Sequence, residues 1–305
     1  MKNKVLDLII LGAGPAGLSA SVYASRYKID HITIGMEMGG YLNEIHKVEN
    51  YPGFEEISGF DLAQKMVSHA KFYGTKIIQE EIRFVTKEEN FIIKTSRGEY
   101  QSKFLIYSIG TSPKKIGIPG EKEFSGKGVS FCATCDSPFF KDKKVVVVGG
   151  GNAAAVSALI LARHAKSIHL FYRAKELQSA PAYIEKMEKN PKIELICETN
   201  LMEIKGKERV EKVILDKPYK DSLEFEADGV FVEIGSAPNN QLLNSLSVET
   251  DTKGFVLTKS DQSTSVENLF AAGDVTTNSN GFRQIVTAVS EGAVAVLSVF
   301  EKLKE

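Results

Sequence analysis

The residues with the clearest chemical potential are two cysteines three positions apart. The chain has three cysteines, and two of them lie in Cys132-Ala133-Thr134-Cys135. A structural disulfide framework would need more cysteines, and a zinc site would need two further ligands at metal-binding spacing. No second cysteine pair exists, and the five histidines are scattered. The sequence therefore predicts a redox-active disulfide, which reacts through a mixed disulfide that the neighbouring thiol resolves, and no metal site.

Other residues with reactive side chains are assigned smaller roles. Asp136 follows the second cysteine and could exchange a proton with a sulfur atom, or it could begin a surface turn. Cys197 ends the apolar run 193–197, which predicts a strand with Cys197 as a small buried residue. The histidines are predicted to be surface or packing residues, with His169 inside a strand.

Two glycine-rich segments, Gly12–Gly17 and Gly149–Ala154, are candidates for binding dinucleotides. Each follows a short apolar strand, Val5–Leu11 or Lys144–Val148, and precedes an alanine-rich helix and a second strand. The predicted helices and second strands are Leu18–Tyr27, His31–Ile34, Ala155–His164 and Ser167–Tyr172. Glycines let a pyrophosphate approach the backbone, and the helix N-terminus supplies amide donors. One such turn is a weak signal, because glycine turns before helices are common. Two of them, each between a strand and a helix, favour an α/β fold with two Rossmann-like dinucleotide-binding domains. The alternative is that both are ordinary glycine turns.

The two halves are predicted not to follow one another simply along the chain. A strand over Phe104–Ser108 leads into a Gly/Pro-rich linker, which suggests a crossover out of the first domain. Another apolar strand, Asn268–Val275, returns late and contains Gly273-Asp274. Asp274 could accept a hydrogen bond from a ribose or ribityl hydroxyl, or it could be an ordinary turn residue.

Composition sets broad limits on function. The chain has 305 residues, 43% of them hydrophobic and 25% charged, with a net charge of −1. This length suggests two domains, and the balanced charge does not steer the chain toward nucleic acid or an anionic membrane. The apolar runs Val5–Leu11 and Ala293–Phe300 are too short for a signal core or a membrane span, so a cytoplasmic enzyme is expected.

Several motifs in one order resemble the low-molecular-weight thioredoxin reductases over nearly the whole chain. The segments that carry the resemblance are Gly12–Gly17, Gly35–Gly40, Val48–Gly53, Cys132–Asp136, Gly149–Asn152, Ile234–Asn239, Ala271–Val275 and Arg283-Gln284. The resemblance implies a homodimer and an FAD domain over 1–113 and 241–305. A nicotinamide domain over 114–240, inserted into the FAD domain, would carry the cysteine pair. It further implies that thioredoxin or a similar small redox protein is the partner.

The same resemblance implies the roles of individual residues. Cys135 would face the flavin, Cys132 would attack the partner's disulfide, and Asp136 would protonate the departing thiolate. The residues expected near FAD are Gly12, Gly14, Pro15, Ala16, Gly35, Met36, Glu37, Gly39, Gly40, Tyr41, Asn50, Asp274, Arg283, Gln284 and Ile285. Those expected near the nicotinamide dinucleotide are Gly149, Gly151, Asn152, Ala153, Arg173, Lys175 and Gly235. Tyr41 replaces the family's usual glutamine. Family members rotate one domain against the other, and the linkers Gly110–Pro119 and Gly235–Asn240 carry the residue types that hinges use.

The phosphate-selecting positions of the second fold depart from the family pattern. The family usually has His-Arg-Arg and a later Arg, whereas this chain has Tyr172-Arg173-Ala174 and Gln178. Arg173 and Lys175 remain as cations, and 171–173 contains no acid to bind the ribose diol of NADH. NADPH is therefore favoured as the donor, with NADH or a non-nicotinamide donor such as a reduced deazaflavin as alternatives.

Other functions remain open from the sequence. A flavin dithiol oxidase would share every motif, and the partner could instead resemble glutaredoxin or peroxiredoxin. A ferredoxin–nicotinamide reductase shares the flavin scaffold but does not need the cysteine pair. A nucleotide-binding redox sensor is the non-enzymatic alternative, although no helix-turn-helix or basic stripe supports it.

Overall fold

The computed structural model describes residues 4–45, 48 and 50–304, without the side chains of Thr134 and Cys135. By compactness the chain divides into two units. Unit 1 comprises Met1–Ser112 and Ala237–Glu305, and unit 2 comprises Pro113–Ser236. The chain thus leaves unit 1, forms unit 2, and returns to complete unit 1.

The described elements alternate between strands and helices through much of the chain. The strands are β1 (Val5–Leu11), β2 (His31–Ile34), β3 (Lys76–Ile78), β4 (Ile82–Lys87), β5 (Phe91–Thr95), β6 (Glu99–Tyr107), β7 (Thr111–Pro113), β8 (Val129–Ser130), β9 (Lys144–Val148), β10 (Ser167–Phe171), β11 (Ile193–Ile196), β12 (Leu201–Gly206), β13 (Val210–Tyr219), β14 (Ser222–Glu226), β15 (Gly229–Val232), β16 (Ser236–Pro238) and β17 (Leu269–Ala271). The α-helices are α1 (Pro15–Arg26), α2 (Gly59–Phe72), α3 (Ala133–Asp136), α4 (Asn152–Leu161), α5 (Pro181–Glu188) and α6 (Ile285–Lys302). Short 3-10 helices cover Gly40–Glu44, Ser137–Phe140, Gln241–Leu246 and Ser279–Gly281.

Unit 1 is built on a sheet in the order β3-β2-β1-β6-β5-β4, with β17 also paired to β6. Strands β3, β2, β1, β6 and β17 run parallel, whereas β4 and β5 form antiparallel pairs. The inner residues 8–11 of β1 are fully buried, as expected for a parallel strand covered on both faces. Helices α1 and α6 cover one face, where Ala16, Ala20 and Ala24 of α1 allow a close approach.

Unit 2 contains a second, smaller parallel sheet in the order β11-β10-β9-β15-β8. Helix α4 packs on one face through Ala154, Ala158 and Leu161. A separate antiparallel sheet, β12-β13-β14, supplies Val213 and Phe225 to the core on the other face. Because β9 and β15 are neighbours, the glycine turn after β9 lies beside the residues that follow β15.

The mixed α/β fold is confirmed, and strands β1 and β2 have their predicted bounds. Helices α1 and α4 were predicted too late, because the glycine turn ends at its third residue and the helix begins directly after it. Proline at the first position of α1 needs no hydrogen-bonded amide, which favours this start. Strand β6 begins earlier than predicted because it pairs with β5 as a hairpin, and β17 is shorter because Gly273 enters a turn. The assignment of FAD to one unit and nicotinamide to the other stays a prediction.

None of the helices in the described part of the chain is both long and apolar enough to cross a lipid bilayer.

Candidate active site

The cysteine segment lies in unit 2, where Cys132 immediately precedes the short helix α3. Cys132 is half-buried and disulfide-bonded, whereas the side chain of Cys135 lies outside the described residues. Two hydrogen bonds join Cys132 to Ser130: its amide donates to the Ser130 Oγ at 3.1 Å, and that hydroxyl donates to the Cys132 carbonyl at 3.3 Å. The Asp136 amide donates to the same carbonyl at 3.1 Å. The backbone around Cys132 is therefore fixed from both sides.

Asp136 lies half-buried at the end of α3 and borders a cavity of about 580 Å³ within unit 2. Phe139 and Phe140 of the following 3-10 helix line the same cavity, and Phe139 is 80% exposed. Its charged lining residues are Lys127, Asp136, Lys143, Glu208, Arg209 and Asp228. Next to the cysteine segment, the chain thus presents a concave surface with an apolar wall and a balanced set of three cations and three carboxylates.

The first glycine turn joins β1 to α1 in unit 1. Gly12 has φ +106, and a Cβ there would lie 2.2 Å from the Ser108 carbonyl oxygen, so only glycine fits. Gly14 is the N-cap of α1 and Pro15 is its first residue, and no side chain caps the helix. A Cβ on Gly17 would lie 1.8 Å from the Gly12 carbonyl oxygen, which shows how tightly the helix packs on the turn. The first amides of α1, including that of Ala16, are open to an anionic ligand such as a pyrophosphate.

The segment after β2 lies against this turn. A Cβ on Gly35 would meet the Ala13 nitrogen at 2.8 Å, and one on Gly40 would meet the Gly14 Cα at 3.0 Å. The Gly39 amide donates to the Ala13 carbonyl at 2.8 Å. The side chains that the segment leaves exposed are Met36, Glu37 and Tyr41, the last 48% exposed. An exposed carboxylate such as Glu37 after the second strand suits the hydroxyls of a ribose.

A third group of predicted residues gathers around the end of β17 and the start of α6. The Asn50 Nδ2 donates to the Gln284 Oε1 at 2.8 Å, and the Arg283 Nε donates to the Asp274 carbonyl at 3.0 Å. Gln284 is the N-cap of α6, and Ile285, its first residue, packs against a small apolar cluster. Glu49, which the resemblance placed beside Asn50, lies outside the described residues.

Asp274 is suited to a hydroxyl-bearing ligand. Burial raises its pKa to about 6, an effect that the nearby Arg283 opposes and Glu291 adds to. Its carboxylate makes no hydrogen bond to the described residues of the chain. Asp274 is half-buried, so a ligand hydroxyl that donates to its carboxylate would replace water that the site partly excludes and would be bound favourably.

Glu291 is a site residue that the sequence did not reveal. It is 6% exposed in α6, and its carboxylate accepts from the Gly273 amide at 2.7 Å, the Thr276 hydroxyl at 3.0 Å and the Ser279 hydroxyl at 2.6 Å. These bonds fix the turn that carries Asp274. The available signal was a single carboxylate among the buried apolar positions of a helix, since Ala288 and Ala295 flank it at helical spacing.

The second glycine turn joins β9 to α4 in unit 2. Gly149 has φ +147, and its Cβ would meet the Glu233 carbonyl oxygen at 2.2 Å, whereas a Cβ on Gly151 would meet nothing within 4 Å. The Asn152 Oδ1 accepts from the Ser179 hydroxyl at 3.0 Å and from the Ala180 amide at 2.7 Å. The side chain of Asn152 therefore holds its own chain, while the open space at Gly151 and the exposed Ala153 remain available to a ligand.

The predicted phosphate-selecting residues follow β10. Arg173 and Lys175 are both exposed, and neither forms an ion pair with a described residue. The ring of Tyr172 lies on Gly150, where an added Cβ would be 2.3 Å from it. Gly235, predicted near the same cofactor, lies after β15 with its carbonyl accepting from the Lys114 amide at 2.9 Å. The turn leaves room for a pyrophosphate. Beyond it, Arg173 and Lys175 are the exposed cations that follow β10 directly.

Two predictions about single residues need correction or detail. Cys197 is half-buried and lies one residue beyond β11, because the strand pairs with β10 only as far as Ile196. Burial raises the pKa of its thiol, which keeps it protonated and unreactive at neutral pH. His169 lies in β10 as predicted, and burial lowers its pKa to about 4, so it is neutral at pH 7.

Within residues 4–45, 48 and 50–304, no group of His, Cys, Asp and Glu side chains is arranged to hold a metal ion.

Comparison with known proteins gives matches over almost the whole chain. Residues 6–292 match the family model described as pyridine nucleotide-disulphide oxidoreductase. The chain is 42% identical to a thioredoxin reductase of Treponema pallidum (strain Nichols), covering 95% of this chain and 94% of that protein. The crystal structure of Lactococcus lactis thioredoxin reductase covers 97% of this chain and 98% of its own, with a TM-score of 0.88 and 31% identity. That of T. acidophilum thioredoxin reductase covers 99% and 100%, with a TM-score of 0.87 and 35% identity.

Proposed function

Since the chain belongs to the pyridine nucleotide-disulphide oxidoreductase family, we propose that it is an FAD-dependent reductase of the disulfide in thioredoxin or a similar small redox protein. The observation that carries the proposal is the disulfide-bonded Cys132 at the start of α3, in a chain that also has a complete glycine turn with open helix amides in unit 1. Unit 1 would be a Rossmann-like FAD domain, and unit 2 a second Rossmann-like domain inserted into it. A cytoplasmic homodimer is part of the same proposal.

The residues of unit 1 fit a flavin dinucleotide. The amides at the start of α1 would bind its pyrophosphate, and Glu37 and Asp274 would accept hydrogen bonds from ribose or ribityl hydroxyls. Glu291 keeps Asp274 in place through the bonds it receives from the turn. A bound flavin would supply the two electrons that open the cysteine disulfide.

The residues of unit 2 carry out the exchange with the partner. In the proposed roles, Cys132 attacks the partner's disulfide, Cys135 resolves the mixed disulfide, and Asp136 protonates the departing thiolate. The position of Asp136 on the cavity with Phe139 and Phe140 supports this assignment, because a partner bound there would lie beside the acid. The exposed Phe139 offers the partner an apolar contact.

The proposed electron donor is a nicotinamide dinucleotide, with NADPH favoured over NADH. The open space at Gly151 and the uncapped start of α4 support pyrophosphate binding. The charges that remain at the adenosine end, Arg173 and Lys175, are positive, as a 2′-phosphate requires. Only these two cations follow β10 directly, and both are exposed, which favours a second candidate in which a donor other than a nicotinamide reduces the flavin directly.

Anaerobic titration of the purified flavoprotein with NADPH tests the donor. We expect the flavin absorbance to bleach at near-stoichiometric NADPH and the reduced enzyme then to reduce a thioredoxin. Full bleaching by dithionite but little by NADPH or NADH would overturn the nicotinamide assignment and leave the disulfide reductase in place. A protein that binds no flavin at all would contradict the proposed function itself.

Restoring two arginines at the adenosine end should improve the use of NADPH. With Ala174→Arg and Gln178→Arg together, we expect the KM for NADPH to fall about tenfold, because each new guanidinium can pair with the 2′-phosphate. The measurement is steady-state kinetics with NADPH and, separately, NADH, whose KM should change little.

The matched control adds the same charge elsewhere in unit 2. Met202→Arg with Leu223→Arg places two arginines at exposed apolar positions of the antiparallel sheet. This variant should leave both KM values unchanged. An unchanged KM for NADPH in the first variant would show that the phosphate does not bind after β10.

A further inference from the structure

Glu233, the first residue after β15, connects three parts of unit 2. Its side chain is half-buried, and the Ser157 hydroxyl of α4 donates to the Glu233 Oε1 at 2.6 Å. The backbone amide of Ala133, the first residue of α3, lies close enough to the same carboxylate to lower its pKa. The main chain of Glu233 also abuts the glycine turn at Gly149.

These contacts place a carboxyl group next to the cysteine segment. Ala133 is 2% exposed and directly follows Cys132, so its amide belongs to the peptide bond that joins the two residues. Ala133 also packs with Ala154 of α4 in one apolar cluster. The start of the redox helix is therefore held by apolar packing and by one carboxylate.

Few other charges act on this carboxyl group. Helix α4, strand β15 and the turn 149–151 contain no ionisable side chain. Helix α3 contains Cys135 and Asp136 and borders Cys132 at its start. Burial raises the pKa of Glu233 to about 7, while the bonds from Ser157 and Ala133 act in the opposite direction. The group is thus partly ionised at neutral pH.

We propose that Glu233 is a positioning residue whose carboxylate holds the first amide of the redox helix and controls the ionisation of the reduced Cys132. An amide at a helix start stabilises a nearby thiolate, but this one also faces the carboxylate of Glu233. The negative charge one residue away also repels a thiolate, and like charges at such range raise a pKa. The inference rests on the proposed function only in treating Cys132 as a redox-active thiol.

Alkylation of the reduced protein tests the proposal without turnover. In a Cys197→Ser background, the FAD-loaded protein would be reduced by dithionite, and the rate of iodoacetamide labelling at Cys132 followed by mass spectrometry from pH 5.5 to 9.5. Glu233→Gln keeps an acceptor for Ala133 and Ser157 but removes the charge. We expect it to lower the apparent pKa of the Cys132 thiol by about one unit.

The matched control is Glu224→Gln, which removes a carboxylate that is 56% exposed and pairs with Lys212 on the antiparallel sheet. It should leave the labelling profile of Cys132 unchanged. An unchanged profile in folded Glu233→Gln would overturn the proposal, and turnover with thioredoxin would then show whether the reductase function still stands.

A second variant decides the matter if Glu233→Gln does not fold. Ser157→Ala removes a donor to the carboxylate, so the pKa of Glu233 should rise and the charge should be lost over a wider pH range. Labelling of Cys132 near pH 7.5 should then become faster than in the parent, in the same direction as for Glu233→Gln. Slower or unchanged labelling would contradict the proposed role.

Discussion

Serine in place of Cys132 is expected to abolish reduction of a protein disulfide while leaving the flavin bound and reducible. The hydroxyl cannot form the mixed disulfide, so turnover with thioredoxin should fall by about a thousandfold or more, as when a nucleophile is removed from other enzymes. The flavin content should not change, because Cys132 lies in unit 2, apart in sequence from the glycine turn after β1. Steady-state thioredoxin reduction and the flavin-to-protein absorbance ratio are the two measurements.

Cys197→Ser is the matched control for this substitution. Cys197 is a free thiol in the same unit, and burial raises its pKa. Its replacement should leave turnover within about twofold, since an inert structural cysteine takes no part in exchange. Comparable turnover by Cys132→Ser and the parent would contradict the proposed mechanism, and retained activity with ferredoxin alone would favour the ferredoxin–nicotinamide alternative.

Alanine in place of Gly17 is expected to cause the largest loss of flavin among single substitutions in unit 1. Its Cβ would lie 1.8 Å from the Gly12 carbonyl oxygen, so α1 must move away from the turn. Overpacking of this kind costs about 3 kcal/mol, and the helix amides would no longer face the pyrophosphate. Bound FAD per chain after purification and the free energy of unfolding in urea should both fall.

The control for Gly17→Ala is Gly98→Ala in the same unit. Gly98 lies between β5 and β6, and its added Cβ would meet only the Tyr100 hydroxyl at 4.0 Å. Stability should change by less than about 0.5 kcal/mol, as for most surface substitutions. Full flavin occupancy in Gly17→Ala would show that the turn after β1 does not bind the pyrophosphate.

Local sequence patterns predicted the central part of each unit well. Strands β1 and β9 are apolar runs buried on both faces, and the glycines after them are required by close backbone contacts at Gly12 and Gly149. The apolar runs and the glycine spacing are local patterns, whereas the contacts that require glycine come from Ser108 and Glu233, which are distant in the chain. The antiparallel sheet β12-β13-β14 was not predicted, because its alternating side chains pack against residues distant in sequence.

The residues missed at the site share one property. Glu233 and Glu291 each act through partners far away in the chain, namely Ser157 and Ala133 for the first and Ser279 and the Gly273 turn for the second. Their sequence contexts, an acid after an apolar strand and an acid in an apolar helix, do not reveal these partners. Whether such a carboxylate is buried, exposed or paired depends on tertiary packing, which one sequence does not show.

The split of unit 1 has a consequence for synthesis on the ribosome. Strand β17 and helix α6 come from the last part of the chain, yet they pair with β6 and cover the apolar face of β1. At typical rates of translation, roughly ten to forty seconds pass between the emergence of β6 and that of α6. During that interval α1 alone covers this apolar face of the nascent sheet, so we expect the segment to be prone to aggregate until α6 emerges.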